Sequence, residues 1–175
     1  MDIYGLLDAN GIVYKRYDHV AVFTCDEADS AMPRTGAAHT KNLFLRDKKG
    51  QRHWLLVTVC EKAVDLRRVA ERIGADRLSL GSGERLEKYL GVTPGSVTLL
   101  ALVNDPQHHV TVLIDEDVWR AETVQAHPLI NTATLVISQA DLRRFLSVTG
   151  HEPRVIPVEN RAAGAVLERP PLPSA

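Results

Sequence analysis

The chain has 175 residues, 45% of them hydrophobic and 25% charged, and 21 Lys and Arg against 22 Asp and Glu give a formal charge of −1. That length fits one domain with a core of its own, and the balance of charge excludes a globally basic nucleic-acid binder, though a local basic patch stays open. No basic segment followed by a long apolar run opens the chain, and the longest apolar run, "VTLLALV", is far short of a membrane span, so neither a signal peptide nor a membrane anchor is expected.

In chain order, Asp2 to Ala9 reads as a short helix and "GIVYKRYDH" as a strand. "TCDEADSAM" offers Thr24 or Asp26 as N-cap of a second short helix, closed by Pro33 and Gly36. "HTKNLFLRDKKGQRHWLLVTV" reads as a hairpin turning at "DKKG", and the unbroken apolar run Leu43, Phe44, Leu45 predicts a strand covered on both faces. "VDLRRVAERIGA" sets Leu66, Val69, Ala70 and Ile73 on one helical face with Gly74 as the stop, and "SGERLEKYLG" runs from a Ser82 cap to Gly91. "GSVTLLALVNDPQHHVTVLID" predicts a second hairpin turning at "NDPQ", with Leu99, Leu100, Leu102 and Val103 in its first strand. "TATLVIS" is a further strand, leading into a helix that Ser138 and Asp141 start as a capping-box-like pair. The pattern dissolves after "HEPRVIPV", and residues 159–175, ending in "RPPLPSA", read as a frayed tail with polyproline character or as an adaptor ligand.

Chemistry-bearing residues are few. Cys25 and Cys60, 35 positions apart and without a C-x-x-C pair, predict two reduced thiols in a cytoplasmic protein. The seven histidines include no metal-ligand spacing, and no G-x-S-x-G elbow or Walker lysine is present, so no metal, covalent nucleophile or nucleotide cradle is expected. Lys41 alternates onto the face of Leu43 and Leu45, where it is either a lysine snorkelling to the rim or a cation held at a pocket mouth, with Asn42 beside it as a paired donor and acceptor. In "AHPLINTATL", His127 precedes a proline and is either a general acid/base or an ordinary loop histidine. "GVTPGSVT", a glycine-rich turn without the G-x-G-x-x-G pattern, reads as a helix stop and turn.

Six segments in order, "RYDHVAVFTCDEA", "GAAHTKNLFLRDKKG", "LGSGERLEKYLGVTPGSVT", "VNDPQHHVTVLID", "HPLINTATLVIS" and "LRRFLSVTGHEPRV", resemble the YbaK/prolyl-tRNA synthetase-associated family, in particular its freestanding prolyl-tRNA editing members. The resemblance implies a mixed α/β fold in residues 1–158, a curved, largely antiparallel mixed sheet wrapped by helices. It further implies hydrolysis of an incorrect aminoacyl ester, most simply alanyl, from the 3′-terminal ribose of tRNA(Pro). Lys41, Asn42 and His127 would then be the catalytic set, and the loop Gly95, Ser96, Val97, Thr98, Leu99 the substrate-binding wall. Leu99 stands where the family's G-x-x-x-P loop ends in proline, and Val20 where "DHP" is common, which puts the amino-acid specificity in question.

Lys48, Lys49 and Arg52 on the hairpin turn and Arg67 and Arg68 on the following helix are candidate RNA contacts, or a solvated charged face. The resemblance implies no cofactor, no DNA and no membrane; mischarged tRNA(Pro) is the expected partner and a prolyl-tRNA synthetase a candidate one. A non-catalytic tRNA- or synthetase-binding module and a deacylase for another mischarged tRNA are the competing readings.

Overall fold

The computed structural model describes residues 2–161. Among these residues eight strands form two sheets, accompanied by six α-helices. The larger has the order β4-β2-β3-β5-β8, built from β2 (Thr40–Asp47), β3 (His53–Val59), β4 (Leu78–Leu80), β5 (Val110–Asp115) and β8 (Arg154–Ile156). The smaller, order β1-β7-β6, contains β1 (Tyr14–Asp18), β6 (Thr123–Ala126) and β7 (Ala133–Ser138). Only β3–β5 and β5–β8 pair in parallel, so the mixed, largely antiparallel character expected from the resemblance holds, with the strands divided between two sheets instead of one.

The β2–β3 hairpin forms in the expected place, and both faces of its sheet are covered. Phe44, Leu55, Val57, Val112 and Ile114 point into one core with α1 (Ile3–Ala9), α4 (Gly83–Leu90), α6 (Gln139–Thr149) and the small sheet's Leu135 and Ile137. Leu45, Trp54, Leu56 and Leu113 point into the other, closed by Val69, Ala70 and Ile73 of α3 (Leu66–Ile73). This period-two division turns the unbroken apolar runs of β2 and β3 into two cores.

The helix boundaries follow local chemistry. Thr24, not Asp26, caps α2 (Cys25–Ala31) by accepting from the Glu27 N–H, Ser82 accepts from Arg85 N–H at α4, and Ser138 accepts from Asp141 N–H at α6. Gly74, Gly91 and Gly150 end their helices in the left-handed conformation.

The expected second hairpin does not form. Residues Leu99–Asn104 are a 3₁₀ helix, η1, whose Leu99 to Val103 are all buried, and β5 pairs with β3 instead. A short continuous apolar run specifies burial without distinguishing strand from helix; here β3 takes β5 as its partner, and Thr98 caps the first turn of η1 through Leu100 N–H. Short β4, β6, β8 and α5 (Glu116–Arg120) also lay below what the periodicity reveals.

Cys25 and Cys60, expected as separate thiols, are bonded to one another. The start of α2 packs against the end of the β2–β3 hairpin, a proximity that sequence spacing does not encode. Of the expected tail, residues 159–161 are tied down: Glu159 O accepts from Asp65 N–H at 3.1 Å and Asn160 bridges Val64. The remainder of that tail, from residue 162, lies outside the described residues.

Candidate active site

The two sheets meet where the chain enters β2. Ala38 N–H donates to Thr123 O at 2.9 Å, Gln125 N–H returns to Ala38 O at 3.0 Å, and Thr40 Oγ1 donates to Gln125 O at 2.7 Å. This junction places the first residues of β2 beside the loop leaving β6. A cavity of about 210 Å³ opens there, lined by Lys41 and Asn42 of β2, by His127 just after β6, by Gly95 and Val97, and by Val22, Phe23 and Cys25.

Lys41 is partly buried, and burial pushes its ammonium below the ordinary lysine value while Glu61 pulls it back up. Its Nζ donates to Cys60 O at 3.1 Å and also to Lys62 O, which occupies two of its three N–H donors. Two carbonyls thus hold the cation still, an arrangement different from a lysine trailing into solvent. The loop they belong to is itself anchored: Lys62 Nζ bonds the buried Asp115 carboxylate at 2.8 Å and Asp117 at 2.7 Å, and Thr58 Oγ1 donates to Asp115 at 2.6 Å.

Asn42 points to the opposite face of the strand from Lys41, and its Oδ1 is buried without a hydrogen-bond partner among the described residues. A buried amide oxygen left unpaired is costly, which marks it as an acceptor awaiting a donor.

His127 donates from Nδ1 to Ala133 O at 3.0 Å, so the neutral ring keeps a lone pair on Nε2. Its backbone is held as well, because Thr98 Oγ1 donates to His127 O at 2.8 Å. Burial lowers the His127 pKa from 6.5; the Ala133 bond opposes this, and His19 and His39 reinforce it. Since the folded value lies below the unfolded one, this contribution to stability is full above about pH 6.5 and is lost as pH falls through the folded value. His53 and His151 are lowered by burial in the same direction. Urea unfolding between about pH 7.5 and pH 5 is expected to show stability declining toward acid, with a smaller decline in His127→Gln.

The expected loop Gly95 to Leu99 divides in two. Gly95 and Val97 line the cavity, with Ser96 between them, whereas Thr98 is buried as a cap and Leu99 is 2% exposed inside the core. Gly95 has φ +92°, and a Cβ there would lie 2.9 Å from the Phe23 ring, so both conformation and space require glycine. Leu99 is the first residue of η1, the position where proline's missing N–H costs least. Leucine in place of the family's proline therefore changes a buried helix start and leaves the cavity lining untouched.

Lys48, Lys49 and Arg52 are exposed at the far end of the hairpin from Lys41, about 20 Å along β2 at the usual rise per residue. Arg52 stacks on Trp54, Arg67 is exposed on α3, and Arg68 pairs with Glu71 and Glu159. The structure thus brings Lys41, Asn42, His127, Gly95 and Val97 to one cavity, and none of the five basic residues lines it. Sequence reasoning missed Phe23 and His39, both lining the cavity; the only signal was their place inside segments that carried the resemblance.

Residues 19–145 match the family model described as the aminoacyl-tRNA editing domain. The chain belongs to the aminoacyl-tRNA editing domain family. Membership implies an aminoacyl-tRNA substrate and deacylase chemistry. Among relatives of this editing domain, the prolyl-tRNA editing protein ProX of Acetoanaerobium sticklandii is 35% identical over 145 residues, covering 83% of this chain and 88% of that protein. The prolyl-tRNA synthetase associated domain-containing protein 1 of Danio rerio is 36% identical over 141 residues, covering 79% and 76%. A crystal structure described as a candidate trans-editing enzyme for prolyl tRNA synthetase superposes with a TM-score of 0.69 at 22% identity, covering 91% of this editing domain chain and 96% of that one, and supports the fold. Among the described residues no helix is long and apolar enough to cross a membrane.

Proposed function

We propose that the protein is a cytoplasmic trans-editing hydrolase that removes alanine from mischarged tRNA(Pro). The observation that carries this reading is the cavity itself: a residue bearing a fixed cation, one with an unpaired buried acceptor and a neutral histidine line it together with Gly95 and Val97. Water adds to the ester carbonyl carbon, the carbonyl electrons move onto oxygen, and collapse of the tetrahedral intermediate expels the ribose oxygen, which takes a proton.

In this reading the third N–H of Lys41 meets the terminal phosphate or the developing oxyanion, where a preorganised donor is worth most. Asn42 Oδ1 accepts from the α-ammonium or a ribose hydroxyl. His127 Nε2 accepts from the attacking water or that hydroxyl, and a ribose hydroxyl can assist, so no strongly basic side chain is needed.

A synthetase pocket shaped for proline discriminates poorly against a smaller side chain, because a methylene contributes only about 1–3 kcal/mol. A second site that admits alanine and excludes proline by size corrects this, and Val97 with the Phe23-covered Gly95 supplies the steric limit. The test is a panel of tRNAs charged with alanine, serine, threonine and proline. Alanyl-tRNA(Pro) turnover is expected; activity confined to another aminoacyl group would move the specificity, and no turnover on any would favour a binding module.

The five exposed basic residues are proposed to touch tRNA phosphates. Replacing Lys48 and Lys49 together by alanine is then expected to weaken tRNA binding and flatten its logarithmic salt dependence by about one unit per lost phosphate contact. An unchanged slope would return them to solvent.

A further inference from the structure

We propose that, once the Cys25–Cys60 bond is reduced, Cys25, Cys60 and His39 form a binding site for a thiophilic divalent cation, Zn²⁺ above all. The two sulfurs and a ring nitrogen of His39 lie within 4.8 Å of one another. They come from the first residue of α2, the residue ahead of β2 and the residue after β3, which is why no C-x-x-C or other ligand spacing announces them.

The donor set suits the ion. Two thiolates and a neutral imidazole are the soft and borderline donors that Zn²⁺ selects, and their two negative charges cancel the metal's charge at a partly buried place. A fourth, open position is left for water.

The supporting geometry points the same way. His39 Nδ1 is 2.8 Å from Asp29 Oδ1, so the carboxylate holds the Nδ1 proton and leaves Nε2 to coordinate. A carboxylate behind the imidazole is the usual device for orienting a metal-binding histidine. His39 and Cys60 are also fixed to each other, since Cys60 N–H donates to His39 O at 2.9 Å across the mouth of the hairpin. Two of the three ligands therefore sit on a rigid strand pair.

The disulfide and the metal site exclude each other, because sulfurs shared in a disulfide carry no thiolate charge. Reduction breaks the S–S bond with two electrons and two protons: two equivalents of a low-molecular-weight thiol supply both and become its disulfide, whereas a phosphine supplies the electrons and becomes its oxide, with water giving the two protons and the oxide's oxygen. Each resulting thiol gives up its proton as the cation binds.

The experiment uses the full chain, reduced with a phosphine, freed of reductant under anaerobic conditions and titrated with Co²⁺ as a spectroscopic probe. One Co²⁺ per chain is expected, with near-ultraviolet sulfur-to-cobalt charge transfer and tetrahedral d–d absorption, both abolished by one equivalent of Zn²⁺. Cys25→Ser and Cys60→Ser, checked for native circular dichroism, should each lose the charge-transfer band of a two-thiolate site, and the disulfide form should show none. Asp29→Ala should keep the stoichiometry and weaken affinity about 10–100-fold. Absence of charge transfer in the reduced protein, or an unchanged spectrum and affinity in folded Cys60→Ser, would overturn the assignment.

Discussion

Lys41→Ala is expected to lower the deacylation kcat/KM on alanyl-tRNA(Pro) by about 100-fold or more, the scale seen when one preorganised donor is removed from a developing oxyanion. The reasoning rests on how the ammonium is held. Cys60 O and Lys62 O fix two of its donors, so the third is oriented before substrate arrives and little reorganisation remains. Lys41→Met keeps most of the apolar stem and removes the charge. If the two variants lose activity alike while unfolding near the wild-type denaturant concentration, the loss belongs to the cation; wild-type rates in either would remove Lys41 from the chemistry.

Asp115→Ala is expected to destabilise the fold by about 3 kcal/mol, measured by urea unfolding, because it strips a buried network of its acceptor. Thr58 Oγ1, Lys62 Nζ and the Asp117 N–H all bond this carboxylate, and the side chain is fully buried. Lys62 keeps Asp117, which lies at the surface, and this limits the loss. The same substitution should reduce editing beyond its effect on stability, since Lys62 O is one of the two carbonyls that hold Lys41. Asp115→Asn, with one acceptor oxygen retained for Thr58, should fall between wild type and alanine in both measurements.

Much of this arrangement was legible before any coordinates. The apolar run of β2 and β3, the 3.6-residue face of α3 and the Ser82 and Ser138 caps are local signals, and each produced the element it predicts. That Lys41, Asn42 and His127 line one cavity was legible only through the resemblance, because period and burial favour a rim lysine and allow a loop histidine equally well.

The illegible parts share one cause: they are decided at long range. Leu99 to Val103 carry a burial signal that strand and helix satisfy alike, and the pairing of β5 with β3 left the run no strand partner. Cys25 and Cys60 meet only because α2 docks on the hairpin mouth. The role of Leu99 was obscure for the same reason. As the buried first residue of η1 it belongs to the core, and the cavity wall is made by Gly95 and Val97.

The central claim is that this cavity admits alanine on tRNA(Pro) and rejects proline. Single-turnover hydrolysis of alanyl-tRNA(Pro) and prolyl-tRNA(Pro) by the wild-type protein tests it most directly. The alanyl ester should be cleaved faster by about 100-fold, within the range that methylene-scale exclusion from a rigid pocket provides. Equal rates on the two esters, or cleavage of neither, would contradict it.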